Sequence, residues 1–251
     1  MDPNSNEVAH DFPPFFRIYK DGRVERLLGT DTVPPTTDPL TGVHSLAAEA
    51  NVVAVSIHYR RAPEHPLPIA YDDTWAAIQW AAAHSNGEGP EPWLNDHVDF
   101  DRVFFAGDSA GANIAHSMAR RAGADGPALT LGFKIVGIVI VHPYFGNGEP
   151  SKLIDYIFPT MSGPDDPRIF PAPDSKLSSL GCSRVLIFVA EKDELRDRGR
   201  NYYESVRKSG WGGEVEIVET EGEDHVFHLF NPSCEKALAL LKQMAAFFNQ
   251  D

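Results

Sequence analysis

The sequence predicts an α/β fold: a mostly parallel sheet with helices on both faces. Two observations predict it. Short β-branched runs alternate with amphipathic helical stretches from residue 51 to the end, which is the rhythm of βαβ units. Several of the strand runs are apolar throughout rather than alternating, as in strands covered on both faces.

The elements follow in order. Phe15–Tyr19 and Arg23–Leu28 are strand-like runs separated by the turn signal Lys20-Asp21-Gly22, so an N-terminal hairpin is expected. The proline-rich Thr32–Pro39 reads as loop. Asn51–Ile57 reads as a buried strand. Ile69–His84 reads as a helix with Trp75, Ile78 and Ala82 on one face. Arg102–Ala106 is a second buried strand, Ala110–Arg121 a helix, Ile135–Val141 a third strand and Arg184–Ala190 a fourth. Asp197–Ser209 is a helix, Glu214–Glu219 a fifth strand, and Ser233–Phe248 a closing helix with Leu238, Leu241, Ala245 and Phe248 stacked. Between the third and fourth strands, Tyr144–Ser179 is too long for a plain connection and rich in proline and glycine. It reads as an insertion over the C-terminal edge of the sheet, where open α/β folds bind ligands. The whole chain, 1–251, is expected to form a single domain, with 1–45 as a hairpin and loop segment and 144–179 as a cap-like insertion.

Bulk composition narrows the function classes. With 42% hydrophobic and 23% charged residues, the chain can bury a sizeable core. A formal charge of −14 argues against nucleic-acid or anionic-membrane partners, whose proteins present basic surfaces. Two cysteines, Cys182 and Cys234, make neither a disulfide framework nor a Cys-x-x-Cys pair. No apolar run is long enough to span a bilayer, and the polar Met1–Pro14 is not a secretory signal, so a cytoplasmic protein is expected.

Gly107-Asp108-Ser109-Ala110-Gly111 fits G-x-S-x-G between a strand and a helix, the setting of an α/β-hydrolase nucleophile. The glycines let the backbone turn tightly, which exposes the serine Oγ at a helix N-terminus. There the Ala110 N–H can help to bind an oxyanion. A serine nucleophile needs a base and an acid to orient it, in the chain order Ser, Asp or Glu, His. Asp193 follows the strand 184–190 and His225 follows the strand 214–219, so both reach the sheet edge that carries Ser109. His225 would take the serine proton and Asp193 would hold the imidazole tautomer. Glu191, Glu194 and His228 are the near competitors. Asp224, His225 and His228 could suggest a metal, but no second ligand cluster has metal spacing, so no metal and no cofactor is expected.

Several stretches resemble the plant carboxylesterase family, related to the hormone-sensitive-lipase group of α/β-hydrolases. They are Tyr59-Arg60-Arg61-Ala62-Pro63-Glu64-His65, Tyr71-Asp72-Asp73, Gly107–Ile114, Asp165-Asp166-Pro167 and Asp224-His225-Val226-Phe227-His228. The resemblance implies a hydrolase of small esters acting through Ser109, Asp193 and His225. Substrate-pocket candidates are Asp108, Tyr144, Phe145, Ile157, Phe158 and Val226. The family also includes 2-hydroxyisoflavanone dehydratases, and gibberellin receptors resemble it but lack the histidine found here as His225. One departure matters. The family carries a His-Gly-Gly loop that supplies most of its oxyanion hole, and this chain has none: Thr41–Ser45 runs straight into Leu46–Ala50. The lost piece includes strands, one of which would lie between 51–57 and 102–106. Those two must pair directly or leave a gap, and a triad of reduced activity is expected.

Overall fold

The computed structural model describes residues 6–28, 47, 49–124, 132–163 and 165–250. The Thr32–Pro39 loop and the junction at 45 and 46 lie outside the described residues.

A three-stranded antiparallel sheet comes first: β1 (Val8–Phe12), β2 (Phe16–Tyr19) and β3 (Val24–Arg26), in the order β1-β2-β3. The expected hairpin is β2–β3, with Ile18 opposite Val24. β1 was hidden because Val8–Phe12 holds no continuous apolar run; its residues are mostly exposed, and it pairs with β2.

The main sheet has four parallel strands in the order β4-β5-β6-β7: β4 (Val103–Asp108), β5 (Ile135–Val141), β6 (Arg184–Ala190) and β7 (Glu214–Thr220). Helices α1 (Ile69–Ala82), α2 (Pro92–His97), α3 (Ala110–Ala124), α4 (Lys152–Ile157), α5 (Arg196–Lys208), α6 (Phe227–Phe230) and α7 (Glu235–Asn249) complete the described elements, with a 3₁₀ turn at Ser175–Ser179. Side chains on a strand alternate between faces, and the central strands are buried on both. Val139, Val141, Leu186 and Phe188 pack against Leu240, Met244, Phe247 and Phe248 of α7. Their neighbours Ile138, Ile140, Val185 and Ile187 pack on the other side against Ala112 and Ala119 of α3 and Tyr202 and Val206 of α5. A third cluster joins α1 and α3 to Ile154, Phe158, Ile169 and Phe170 of the 144–179 segment.

Two readings are corrected. Asn51–Ile57 is not a buried strand. It runs without regular structure and is largely exposed, with Val53 at 43% and Val55 at 46%. No backbone hydrogen bond joins it to β4 among the described residues, so the gap is left open rather than closed by direct pairing. A strand is stable only when a neighbour takes up its N–H and C=O groups. No such neighbour pairs with 51–57 among the described residues. Among the described residues β4 is an edge strand, and it is only half-buried, where a buried strand was expected. The second correction concerns α7. Leu238 is 47% exposed, and the buried stripe is Ala237, Leu240, Met244, Ala245, Phe247 and Phe248. Of the expected stripe, Ala245 and Phe248 lie on the buried face, whereas Leu238 and Leu241 sit about one residue, roughly 100° of helix rotation, from the buried Ala237 and Leu240.

Candidate active site

β4 ends at Asp108, and α3 starts two residues later. Ser109, between them, has φ 53°, a left-handed conformation that costs a non-glycine residue free energy. The turn is held from three sides: Ser109 N donates to Val141 O at 2.9 Å, and Ser109 O accepts from Asn113 N at 3.3 Å and Tyr144 N at 3.0 Å. Gly107 is required by close approach, since a Cβ there would lie 2.3 Å from the backbone carbon of Gly111. Local sequence therefore builds the elbow and the neighbouring strand clamps it.

The other two predicted residues arrive from the ends of β6 and β7. His225 Nε2 is 3.0 Å from Ser109 Oγ, and His225 Nδ1 is 2.8 Å from Asp193 Oδ2. The Asp193 side chain is 2% exposed and that of His225 32%. Burial by itself would raise the Asp193 pKa, but hydrogen bonds from His225 and from Leu195 N at 2.8 Å outweigh it. The carboxyl is thus held below the usual carboxylate range and stays ionised as an acceptor for the imidazole N–H. Of the competitors, Glu191 accepts from Gly222 N at 2.6 Å, Glu194 is exposed, and burial lowers the His228 pKa.

Ala110 is exposed at the first position of α3, where a backbone N–H has no carbonyl partner within the helix. Asp108 and Val226 flank Ser109 and His225 in the chain and are half-buried. Tyr144 lines a cavity of about 200 Å³ together with Asn147, Ser151, Ile154, Phe170 and Arg198. Phe145 borders a neighbouring one of about 180 Å³, although it is only 1% exposed and packs on His116 and Tyr202. Phe158 is also 1% exposed, under the guanidinium of Arg168 and 6.4 Å from the Tyr71 ring. Ile157 uses its carbonyl to accept from Leu67 N at 2.8 Å. Phe158 and Ile157 line neither cavity and tie the 144–179 segment to the rest of the molecule.

One histidine was overlooked. His142 follows β5 immediately, is 1% exposed, and has its ring centroid 5.9 Å from that of His225. The strand-end reasoning that found Asp193 and His225 applies equally to β5 and would have found it. Ligand atoms of His142, Asp193 and His225 lie within 4.8 Å of one another. This trio makes a poor metal site, because His142 Nδ1 already accepts from Val226 N at 2.8 Å. The neutral ring then carries its proton on Nε2 and offers no second lone pair. Asp224, His225 and His228 are not gathered as a ligand cluster among the described residues, and Asp224 Oδ1 accepts from the backbone N–H of His225.

A serine at a strand-to-helix elbow, answered by histidine and aspartate from later strand ends of one parallel sheet, is the arrangement of the α/β-hydrolases. Residues 34–229 match the family model described as alpha/beta hydrolase fold, and the chain belongs to that family. Probable carboxylesterase 5 of Arabidopsis thaliana is 40% identical over 317 positions, covering 96% of this chain and 98% of the relative. The 2-hydroxyisoflavanone dehydratase of Glycyrrhiza echinata is 37% identical, with 97% of each chain covered. An alignment longer than the 251 residues here means that the relatives carry several tens of residues without a counterpart, in keeping with the absent glycine loop. Among solved structures, an esterase of Pyrobaculum calidifontis superposes with a TM-score of 0.64 at 29% identity, over 82% of this chain and 68% of that one. No helix among the described residues is long and apolar enough to cross a membrane.

Proposed function

We propose that this chain is a carboxylic ester hydrolase that works through an acyl-enzyme on Ser109, at a rate held down by an incomplete oxyanion hole. The observation that carries the reading is the unbroken hydrogen-bonded line from Ser109 Oγ through His225 to Asp193. Ser109 Oγ attacks the ester carbonyl carbon while His225 Nε2 takes its proton. The ionised Asp193 holds the imidazole and offsets the charge it gains. The tetrahedral intermediate places its oxyanion near Ala110 N–H; its collapse expels the alkoxide, which takes the proton back from His225. Water then repeats the sequence on the acyl carbonyl and frees the acid. The relatives' names support an ester substrate.

Each missing oxyanion donor costs roughly 10²–10³ in rate, so a single remaining backbone N–H leaves slow turnover. The 144–179 segment serves as a cap, and Tyr144 lines the substrate side. Fluorophosphonate labelling tests the nucleophile directly. Wild type should label and Ser109→Ala should not. Turnover of a p-nitrophenyl ester at the pace of glycine-loop relatives would refute the rate limit. The Glycyrrhiza relative supports a second reading, a lyase that removes water from a hydroxyisoflavanone. Dehydration of that substrate that persists in Ser109→Ala would favour it.

A further inference from the structure

His225 stands on the loop after β7, which pairs with β6 alone among the described residues. Ser109 is fixed by its own backbone hydrogen bonds, to Val141 O and from Asn113 N and Tyr144 N, and Asp193 follows β6, which pairs with both β5 and β7. The loop needs its own fixing point, and β5 supplies one. His142 takes its place at the end of β5 with φ 47°, and its backbone N–H donates to Phe188 O of β6 at 2.9 Å. From there Nδ1 reaches 2.8 Å to the backbone N–H of Val226, the residue next to His225. Val226 is itself at φ 46°, a conformation that a β-branched residue adopts only when its surroundings impose it.

We propose that His142 is a positioning residue for His225: as a neutral acceptor it pins Val226 N–H to the central sheet and so aims His225 Nε2 at Ser109. The proposal rests on the hydrolase reading above. An amide N–H can only donate, so His142 must keep its Nδ1 lone pair. Burial supports that state by pushing the imidazole pKa down to about 4, and the nearby His228 and His225 push the same way while Asp193 and Asp224 oppose them. The remaining proton on Nε2 is buried and has no partner among the described residues. An unpaired buried donor costs stability, and its retention makes sense where the ring has a task that a hydrophobic side chain cannot perform. His142 touches no reacting atom; it acts through His225.

The test is the rate of fluorophosphonate labelling of the full chain, with Ser109→Ala as the blank. His142→Leu removes the acceptor at similar volume, and His142→Asn offers an amide oxygen close to where Nδ1 lay. His142→Leu should label ~10²-fold more slowly at an unchanged inhibitor affinity, the penalty of a misplaced base. His142→Asn should recover most of that loss while Leu and Asn variants melt alike. Labelling of His142→Leu at the wild-type rate, or an Asn variant as slow as Leu, overturns the proposal. Should the Leu variant not fold, ¹⁵N NMR of the wild type still decides. A scalar coupling across the hydrogen bond from Val226 N to an unprotonated His142 Nδ1 is expected, and a protonated Nδ1 at neutral pH overturns the proposal. Equal labelling of wild type and Ser109→Ala is a separate outcome, which removes the hydrolase reading and the proposal with it.

Discussion

Lowering the pH from 7 to 5 should destabilise this protein by about 4 kcal/mol through two buried histidines. His116 on α3 is fully buried; its Nδ1 lies 2.9 Å from the Tyr202 hydroxyl, and its Nε2 has no partner among the described residues. Burial, with Arg120 adding to it and Asp174 opposing it, pushes its pKa down to about 3. His142 is pushed down to about 4, again chiefly by burial. Both stay neutral in the folded state at pH 5, whereas an unfolded histidine titrates near 6.5. The unfolded chain therefore binds more protons between about pH 4 and 6.5, and stability falls as pH drops through that window. At pH 5 the unfolded imidazole lies roughly 1.5 pH units below its midpoint, which is about 2 kcal/mol for each histidine. Carboxylates held low in the fold, such as Asp193 and Asp73, also lose stability in acid, but their loss begins below about pH 4.5. Urea unfolding followed by tryptophan fluorescence at both pH values measures the difference. With a slope near ~3 kcal/mol per molar, the midpoint should fall by more than ~1 M. His116→Asn should remove about half of the pH dependence, because asparagine does not titrate. Equal midpoints at pH 7 and pH 5, or an undiminished dependence in His116→Asn, would refute the reasoning.

Three further outcomes follow from the site and its surroundings. Gly107→Ala should cost ~3 kcal/mol or more, read as a drop in melting temperature, because the new Cβ meets the Gly111 backbone, which cannot yield without opening the elbow. Asn113→Leu should cost ~3 kcal/mol in urea unfolding. The amide accepts from the Tyr71 hydroxyl at 2.8 Å and donates to Tyr144 O at 3.1 Å and Arg168 O at 2.7 Å, and its loss leaves buried groups unpaired. Asp193→Asn should fold normally yet label with fluorophosphonate about 10⁴-fold more slowly, since an amide can hold His225 in the wrong tautomer; labelling within tenfold of wild type would count against the role of Asp193.

Much of the fold could be read from local pattern. Ile135–Val141 and Arg184–Ala190 are strands with the bounds their apolar runs suggest, because a strand covered on both faces has little choice of residue type. The elbow at Ser109 was equally legible, since glycine at 107 answers a local steric demand. Asn51–Ile57 carries the same kind of run and yet is no strand. Pattern reports which side chains suit a pleated surface, whereas strand formation depends on a partner elsewhere in the chain, and the described residues supply none. β1 is the converse case, a mostly exposed stretch with no apolar run that pairs with β2 as a strand.

The sequence by itself determined the class of fold, the tight strand-to-helix turn at Ser109 and the strand ends from which Asp193 and His225 project, because each depends on residues close together in the chain. Tertiary structure alone decided that Ser109, His225 and Asp193 meet at 3.0 and 2.8 Å, that β4 is an edge strand among the described residues, and that His142 reaches the backbone beside His225. Those three outcomes turn on how distant segments pair and pack, and the free energy of a contact between distant segments is not written in the spacing of either one.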